Sequence, residues 1–232
     1  MLDSLDRRLV AVFRPASWET ERYRTLRRSL ERTYPPERRR VLAVSSANAG
    51  EGKSTTAVNL AAVLAEVPSA SVLLVDADFR CGSVGRLLGC ENAEHDICDA
   101  IDDGSLSLDQ VTRPPAGGLR FAVLPARPHP DTAHLLVESP NFARLMVEAR
   151  QAYQYIVIDT PPLLPVSDCR AIAQWVDGFV LVVAAHRTSR DRLGEALAML
   201  EPRKLLGLVF NGDDEPAWKG PSHYYAHYGA PP

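Results

Sequence analysis

The sequence has 232 residues, of which 46% are apolar and 24% are charged, a balance typical of one globular domain with short extensions. No apolar run approaches the roughly 18 residues of a membrane-spanning helix, and the N-terminus lacks a signal-peptide pattern. The four cysteines form no CxxC pair, so neither a zinc site nor a disulfide framework is indicated, and a reducing cytoplasm is expected.

The net charge of −3 is unevenly distributed, because residues 1–40 carry +5 and the remainder −8. Such a basic segment can bind a nucleic acid, a membrane surface or a partner subunit, or it can simply be the solvated face of a helix.

The N-terminal region predicts one helix. Residues 1–16 show little periodicity, and we expect them to be poorly ordered or dependent on a partner. Ser17 is a suitable N-cap, and the helix it starts should run to about Thr33, where two prolines follow. Three apolar residues at spacings of three and four form one stripe along this helix: Tyr23, Leu26 and Leu30.

Beyond residue 40 the chain alternates between short apolar runs and helical patterns. The runs predict buried strands at 41–45, 71–76, 119–124, 155–159, 178–184 and 205–210. The main helices are expected at about 53–66, 141–152 and 189–200. This alternation predicts an α/β fold with a mostly parallel sheet and helices on both faces. Residues 81–118 should form short helices and loops over the C-terminal edge of the sheet, and the chain from Gly212 onward a flexible tail.

The segment from Ala47 to Ser54 matches the Walker A pattern of a P-loop, with alanine where glycine is commoner. It joins a predicted strand to a predicted helix, as the motif requires. Backbone N–H groups there can converge on phosphate oxygens at the positive end of the helix. Lys53 would bring charge to the β- and γ-phosphates, and the Ser54 hydroxyl is a natural Mg²⁺ ligand. The predicted nucleotide-binding residues are Ala49, Gly50, Glu51, Gly52, Lys53, Ser54 and Thr55.

Two further strands end in acidic residues. Asp76 and Asp78 leave the second strand, and Asp159 ends the fourth in a Walker B pattern. Open α/β sheets bind ligands at this edge, so these carboxylates should meet the P-loop. A carboxylate there can hold Mg²⁺, polarise a bound water, or orient and deprotonate an incoming hydroxyl group.

These motifs together resemble the bacterial tyrosine kinases, the P-loop autokinases of capsule and exopolysaccharide synthesis. The resemblance covers about residues 19–211. The matching segments are Glu21-x-x-Arg24-x-x-Arg27, Gly50-Glu-Gly-Lys-Ser-Thr-Thr, Asp76-Ala-Asp-Phe-Arg80, Ile158-Asp-Thr-Pro-Pro162, Leu124-Pro-Ala and Leu208-Val-Phe-Asn211. A C-terminal group of tyrosines also resembles the family's autophosphorylated cluster: Tyr224, Tyr225 and Tyr228.

The resemblance implies three regions and two partners. Residues 1–40 would be an arm with an oligomerisation helix, 41–211 the P-loop kinase domain, and 212–232 the tyrosine tail. Glu21, Arg24 and Arg27 would form intersubunit ion pairs in a ring that offers each tail to a neighbour. The chain would be a split form, cytoplasmic and recruited to the inner face of the plasma membrane by the cytoplasmic segment of a polysaccharide co-polymerase. Nucleic acid is not expected as a partner.

The predicted function is therefore a protein-tyrosine autokinase that uses Mg-ATP and regulates exopolysaccharide or capsule synthesis. Lys53, Asp76, Asp78 and Asp159 form the predicted catalytic set. Ser54, Asp78 and Asp159 hold Mg²⁺. Asp76 accepts the tyrosine proton, with an exchange of the roles of Asp76 and Asp78 as the alternative. The resemblance also places Asn211 near the adenine.

Two other functions fit parts of the sequence. A partitioning or cell-division-positioning ATPase would share the P-loop, but such proteins carry a second lysine where this chain has Asn48. A weakly catalytic regulator that binds nucleotide and reports to a polysaccharide machine would not need to retain every charged residue of the site, as this chain does.

Overall fold

This computed structural model describes residues 5–33 and 39–213, which contain six strands and ten α-helices. The strands are β1 (Arg40–Ser46), β2 (Val72–Asp76), β3 (Ala122–Leu124), β4 (Tyr155–Asp159), β5 (Gly178–Ala184) and β6 (Leu205–Asn211). The helices are α1 (Val10–Phe13), α2 (Trp18–Thr33), α3 (Lys53–Leu64), α4 (Ser83–Leu87), α5 (Ile97–Asp102), α6 (Leu108–Val111), α7 (Ala133–Glu138), α8 (Pro140–Ala152), α9 (Asp168–Ile172) and α10 (Arg190–Ala198). None of the helices in these two ranges has the length and apolarity of a bilayer span.

The strands form one sheet in the order β3-β2-β4-β1-β5-β6, and every neighbouring pair is parallel. The predicted parallel α/β fold is confirmed. The third strand is shorter than the predicted 119–124, because pairing with β2 begins only at Ala122. A 3₁₀ turn at Ala116–Gly118 precedes it, and Gly117 and Gly118 adopt positive φ there.

The core lies in two layers, one on each face of the sheet. Val41 and Ala43 of β1 pack into the layer that contains α5, α8 and α9. Leu42 and Val44 of the same strand pack into the other layer, with α3 and the N-terminal residues. Successive side chains of a strand point to opposite faces, so a strand covered on both sides becomes a continuous apolar run. This is the physical reason that the strands were visible in the sequence.

The N-terminal segment corrects one prediction. Residues 1–16 were expected to be poorly ordered or dependent on a partner, yet in the described part of this segment Leu5 and Leu9 are buried, and Leu9 is 0% exposed. The Ala11 N–H donates to Asn59 Oδ1 of α3 at 2.9 Å. The segment is held by contacts with residues some fifty positions away, and its own apolar pattern is too short to reveal them.

Helix α2 begins where the sequence predicted. The Ser17 side chain accepts from the Thr20 N–H at 3.3 Å and so satisfies one of the first N–H groups of the helix. Leu30 is buried against the same core layer as α3, with Tyr23 and Leu26 packed beside it. The apolar stripe thus attaches α2 to the helix that follows the P-loop.

Candidate active site

The turn between β1 and α3 has a left-handed geometry that favours glycine. Gly50 and Gly52 have φ values of +76° and +95°, and Lys53 opens α3 directly afterwards. A Cβ built on Gly52 would lie 2.0 Å from Nδ2 of Asn211. The Asn211 amide donates to the Glu51 carbonyl oxygen at 3.0 Å. The end of β6 therefore packs directly against the phosphate-binding loop, and Asn211 lies at the site.

The buried side chain of Glu51, within the loop, also stabilises the loop through hydrogen bonds. Glu51 is only 4% exposed, and its Oε1 accepts from Asn48 Nδ2 at 3.1 Å and from Thr188 Oγ1 at 2.7 Å. Beside them, the exposed Arg187 directs Nη1 to the Gly50 carbonyl at 3.4 Å. Thr188 and Arg187 are not predictable from the sequence, because their contacts span 137 positions and no local pattern marks them.

Four buried charged residues meet at the C-terminal edge of the sheet. Lys53 is 7% exposed, and its Nζ lies 2.5 Å from Asp78 Oδ2. Asp76 and Asp159 are register partners at the ends of β2 and β4. The sheet order thus brings together the four residues that the sequence predicted as a catalytic set.

The electrostatics of this cluster depend on burial. Burial lowers the pKa of the Lys53 amine, but the Asp159 and Asp78 carboxylates outweigh it and raise the pKa above its ordinary value. Burial, with the Asp159 charge second, raises the pKa of Asp76 well above its usual range. Burial raises the pKa of Asp159 to about 6, although Lys53 opposes the change. One ammonium group is surrounded by three carboxyl groups that are costly to ionise together.

The carboxylates differ in their hydrogen bonds. Asp76 accepts from the N–H groups of Asp78 at 3.2 Å and Val84 at 3.0 Å. Oδ1 of Asp78 is buried without a hydrogen-bond partner among the described residues, and the two buried oxygens of Asp159 have none there but the Ser54 hydroxyl, which lowers the pKa of Asp159. Buried oxygens without donors are costly and suit a hard cation. No group of three or more His, Cys, Asp or Glu side chains within the described ranges could hold a metal alone. One or two carboxylates plus substrate phosphates are the usual surroundings of Mg²⁺, so the residues present fit that ion.

Two side-chain contacts fix the loop that follows β2. The Ser83 Oγ lies 2.8 Å from the Ser54 Oγ. Arg80 donates through Nε and Nη2 to the buried Asp168 at 2.9 and 3.1 Å. Arg80 was predicted by resemblance, whereas no sequence pattern predicted Ser83 or Asp168 as part of the site. Asp168 begins a short helix 88 positions away, so only the folded chain reveals this ion pair.

The predicted assembly residues are already paired within the chain. Arg24 contacts Glu66 through Nε and Nη2 at 2.8 and 2.6 Å, and Glu21 through Nη1 at 2.6 Å. Arg27 donates to the Val63 carbonyl at 2.8 Å and lies 3.5 Å from Glu66. Hydrogen bonding to Arg24 lowers the pKa of Glu66. In the single chain, these residues attach α2 to the C-terminal end of α3.

The remaining predicted residues fall into two groups. Ala49 lies exposed in the loop, and Thr55 lies half-buried in the first turn of α3. The predicted phosphate acceptors lie outside the described residues: Tyr224, Tyr225 and Tyr228.

A parallel sheet with this loop, lysine and carboxylate cluster defines the class of P-loop proteins that bind nucleoside triphosphates. The AAA domain family matches residues 39–190. The tyrosine-protein kinase YwqD of Bacillus subtilis is 34% identical over 211 residues, which cover 90% of this chain and 87% of YwqD. The succinoglycan biosynthesis transport protein ExoP of Rhizobium meliloti is 33% identical over 88% of this chain but only 26% of ExoP.

The fold of this chain is also similar to that of a solved tyrosine kinase domain. The kinase domain of the Escherichia coli tyrosine kinase ETK superposes with a TM-score of 0.80 at 26% identity, over 90% of this chain and 83% of that domain. The chain belongs to the AAA domain family and, within it, to the bacterial tyrosine-protein kinases.

Proposed function

We propose that this protein transfers the γ-phosphoryl group of Mg-ATP to tyrosine, including tyrosines of its own C-terminal tail. One observation carries the proposal: Lys53 of the P-loop lies among Asp76, Asp78 and Asp159, and the buried Oδ1 of Asp78 lacks a partner among the described residues. The similarity to YwqD, a named tyrosine-protein kinase, supports tyrosine as the acceptor.

The nucleotide is bound by the loop and the lysine. Backbone N–H groups from Gly50 to Ser54 hold the phosphates at the positive end of α3. Lys53 is paired with Asp78 in this structure, and it exchanges that carboxylate for the phosphates when ATP binds. Its raised pKa keeps it charged at neutral pH, so it stabilises the negative charge that develops on the transferred group.

The transfer itself is a displacement at phosphorus. The tyrosine oxygen bonds to the γ-phosphorus while the bond to the β,γ-bridging oxygen breaks, and ADP leaves. The tyrosine proton passes to Asp76, whose raised pKa suits a group that takes up a proton. The alternative gives this role to Asp78, whose Oδ1 has no hydrogen-bond partner among the described residues. Asp76→Asn and Asp78→Asn separate the two, because the variant that loses the base shows the larger fall in kcat.

Ser54, Asp78 and Asp159 are the residues that would hold Mg²⁺. The bound ion supplies positive charge beside the phosphates. Ser54 and the free carboxylate oxygens are hard donors of the kind that Mg²⁺ prefers. Asp159, with its pKa of about 6, is mostly ionised at pH 7 and gains a counter-charge when the cation binds.

We propose further that the active form is a ring in which each tail reaches a neighbour. The Glu21, Arg24 and Arg27 side chains would then exchange their contacts with Glu66 for contacts with the next subunit. Arg24 is one-fifth exposed and is therefore accessible to such an exchange. Phosphates on the tail add about −1.5 to −2 charges each and would repel the acidic body, so phosphorylation should loosen the ring. Light scattering of both forms tests this, and an unchanged mass would refute it.

The proposed activator is the cytoplasmic segment of a membrane polysaccharide co-polymerase. This chain matches only about a quarter of ExoP, which is named a biosynthesis transport protein. That relationship supports a division of one long protein into two chains, with this one the kinase. Its place would be the inner face of the plasma membrane, through that partner, and its role the regulation of exopolysaccharide or capsule synthesis.

The test is phosphotyrosine mapping by mass spectrometry after incubation with Mg-ATP, with and without a candidate partner peptide. Phosphate on Tyr224, Tyr225 or Tyr228 is expected in the wild type and absent from Lys53→Met. Lys204→Met, a matched change away from the P-loop, should retain it. ATP binding without phosphotyrosine in any condition would reject the kinase and favour a nucleotide-sensing regulator or a positioning ATPase.

A further inference from the structure

The hydroxyl group of Ser83 lies beside the hydroxyl group proposed to bind magnesium. The distance between Ser83 Oγ and Ser54 Oγ is 2.8 Å. Ser83 is the first residue of α4, and Ser54 is in the first turn of α3. The contact therefore joins the loop after β2 to the P-loop helix at the point where the phosphates would bind.

Ser83 is held in place by its neighbours on both sides. Gly82 has a φ of +55°, and a Cβ built on it would lie 2.6 Å from the Ala126 carbonyl oxygen, so the turn admits only glycine without a shift. On the other side, the Val84 N–H donates to Asp76 Oδ2 at 3.0 Å. These contacts fix the backbone around Ser83 and direct its side chain toward Ser54.

A serine hydroxyl has one proton and two lone pairs. To serve a cation, the Ser54 oxygen must offer a lone pair and direct its proton elsewhere. Two acceptors face this proton: Ser83 Oγ at 2.8 Å, and Asp159, whose pKa a hydrogen bond from Ser54 lowers. In either orientation the contact between the two serines restricts the rotation of the Ser54 hydroxyl.

We propose that Ser83 is a positioning residue for Mg-ATP. When Asp159 serves the cation and no longer accepts from Ser54, Ser83 accepts the Ser54 proton in a hydrogen bond. Ser83 thereby keeps a lone pair of Ser54 available to the cation, without touching the cation or the nucleotide itself. The inference rests on the proposed function, since it takes Ser54 as a magnesium ligand. It predicts an effect on the magnesium-dependent part of ATP affinity alone.

The experiment measures ATP binding by isothermal titration, once with Mg²⁺ and once with EDTA, so that no turnover is needed. The wild type should bind ATP more tightly with Mg²⁺. Ser83→Ala should lower this enhancement by about three- to tenfold, the effect of one hydrogen bond, and leave binding in EDTA unchanged. Ser83→Thr keeps the hydroxyl group and should restore the enhancement.

A double-mutant cycle separates positioning from a structural effect. In a Ser54→Ala background, Ser83→Ala should cause no further loss, because its effect acts through the missing hydroxyl group. Ser107→Ala removes a hydroxyl group that donates to Gln110 Oε1 at the start of α6, away from the P-loop, and it serves as the matched control. Thermal unfolding of each variant verifies that the fold is retained.

Three results would overturn the proposal. Ser83→Ala could bind Mg-ATP as tightly as the wild type, or Ser83→Thr could fail as Ser83→Ala does, or the losses of the two alanine variants could add. In each case the proposed kinase function would stand. A wild type that binds ATP equally with Mg²⁺ and EDTA would instead reject the magnesium assignment and this inference with it.

Discussion

Replacing Gly52 with alanine tests whether the end of β6 supports the phosphate-binding loop. The φ of +95° costs a non-glycine residue about 1–2 kcal/mol. The added methyl group would lie 2.0 Å from Asn211 Nδ2, so Asn211 must move and lose its hydrogen bond to the Glu51 carbonyl. That loss costs about 1 kcal/mol, and the reduced freedom of the unfolded chain offsets about 0.5 kcal/mol. The net destabilisation should be about 2 kcal/mol.

Urea unfolding measures this free energy, and thermal unfolding should show a fall in Tm of about 4–8 °C for a chain of this size. Asn211→Ala alone should cost about 1 kcal/mol. The double variant should cost little more than Gly52→Ala, because alanine at 52 has already broken the Asn211 hydrogen bond. Gly194→Ala is the matched control: nothing lies within 4 Å of its added methyl group, and alanine favours the helix. It should be neutral or stabilising. Additive losses in the double variant would refute the contact between β6 and the loop.

Three other predictions concern buried polar groups. Asp159→Asn should stabilise the nucleotide-free protein at pH 7 by on the order of 2 kcal/mol, because a buried carboxyl with a pKa of about 6 ionises there at a cost. Relative to Asp159→Asn, the wild type should lose free energy of unfolding as pH rises from about 4 to about 6. Urea unfolding at several pH values measures this, and an equal pH dependence of the two free energies would contradict the prediction. Asp168→Asn should cost about 2 kcal/mol of stability, because it breaks the ion pair between the buried Asp168 and Arg80. Glu201→Gln breaks an exposed pair with Arg203 and should cost under about 0.5 kcal/mol. Thermal unfolding compares the two variants, and similar losses would contradict the prediction. Asn59→Ala should release residues 5–13, seen as early loss of amide protection in hydrogen exchange, and unchanged protection would disprove the anchoring.

Much of the fold could be predicted because its strands are covered on both faces. The bounds of β4 and β5 agree with the predicted 155–159 and 178–184, since both runs are buried throughout. The P-loop and the cap of α2 could be predicted for a related reason. Their geometry is set by residues within a few positions, namely glycines with positive φ and a serine that satisfies the first turn.

The candidate site was predicted in part. Lys53, Asp78 and Asp159 each follow or end a strand or begin a helix, so their common edge could be inferred from the parallel sheet. The sequence did not specify that β2 lies beside β4, which makes Asp76 and Asp159 neighbours. Burial, and after it the Asp159 charge, raises the pKa of Asp76 there. Strand order depends on how the two core layers fill, and no local pattern encodes it.

The pattern of residues is enough to predict the class of element at most positions and the chemistry available at the sheet edge. The partners of those groups depend on the folded chain: Ser83 lies beside Ser54, Asp168 pairs with Arg80, and Glu66 contacts Arg24 and Arg27 of α2. The packing of the N-terminal segment on α3 depends on it as well. These contacts join residues 29 to 88 positions apart, or attach a short segment that has no strong pattern of its own. Such pairings are selected by the packing of the whole chain, because the energy of each appears only when distant elements meet.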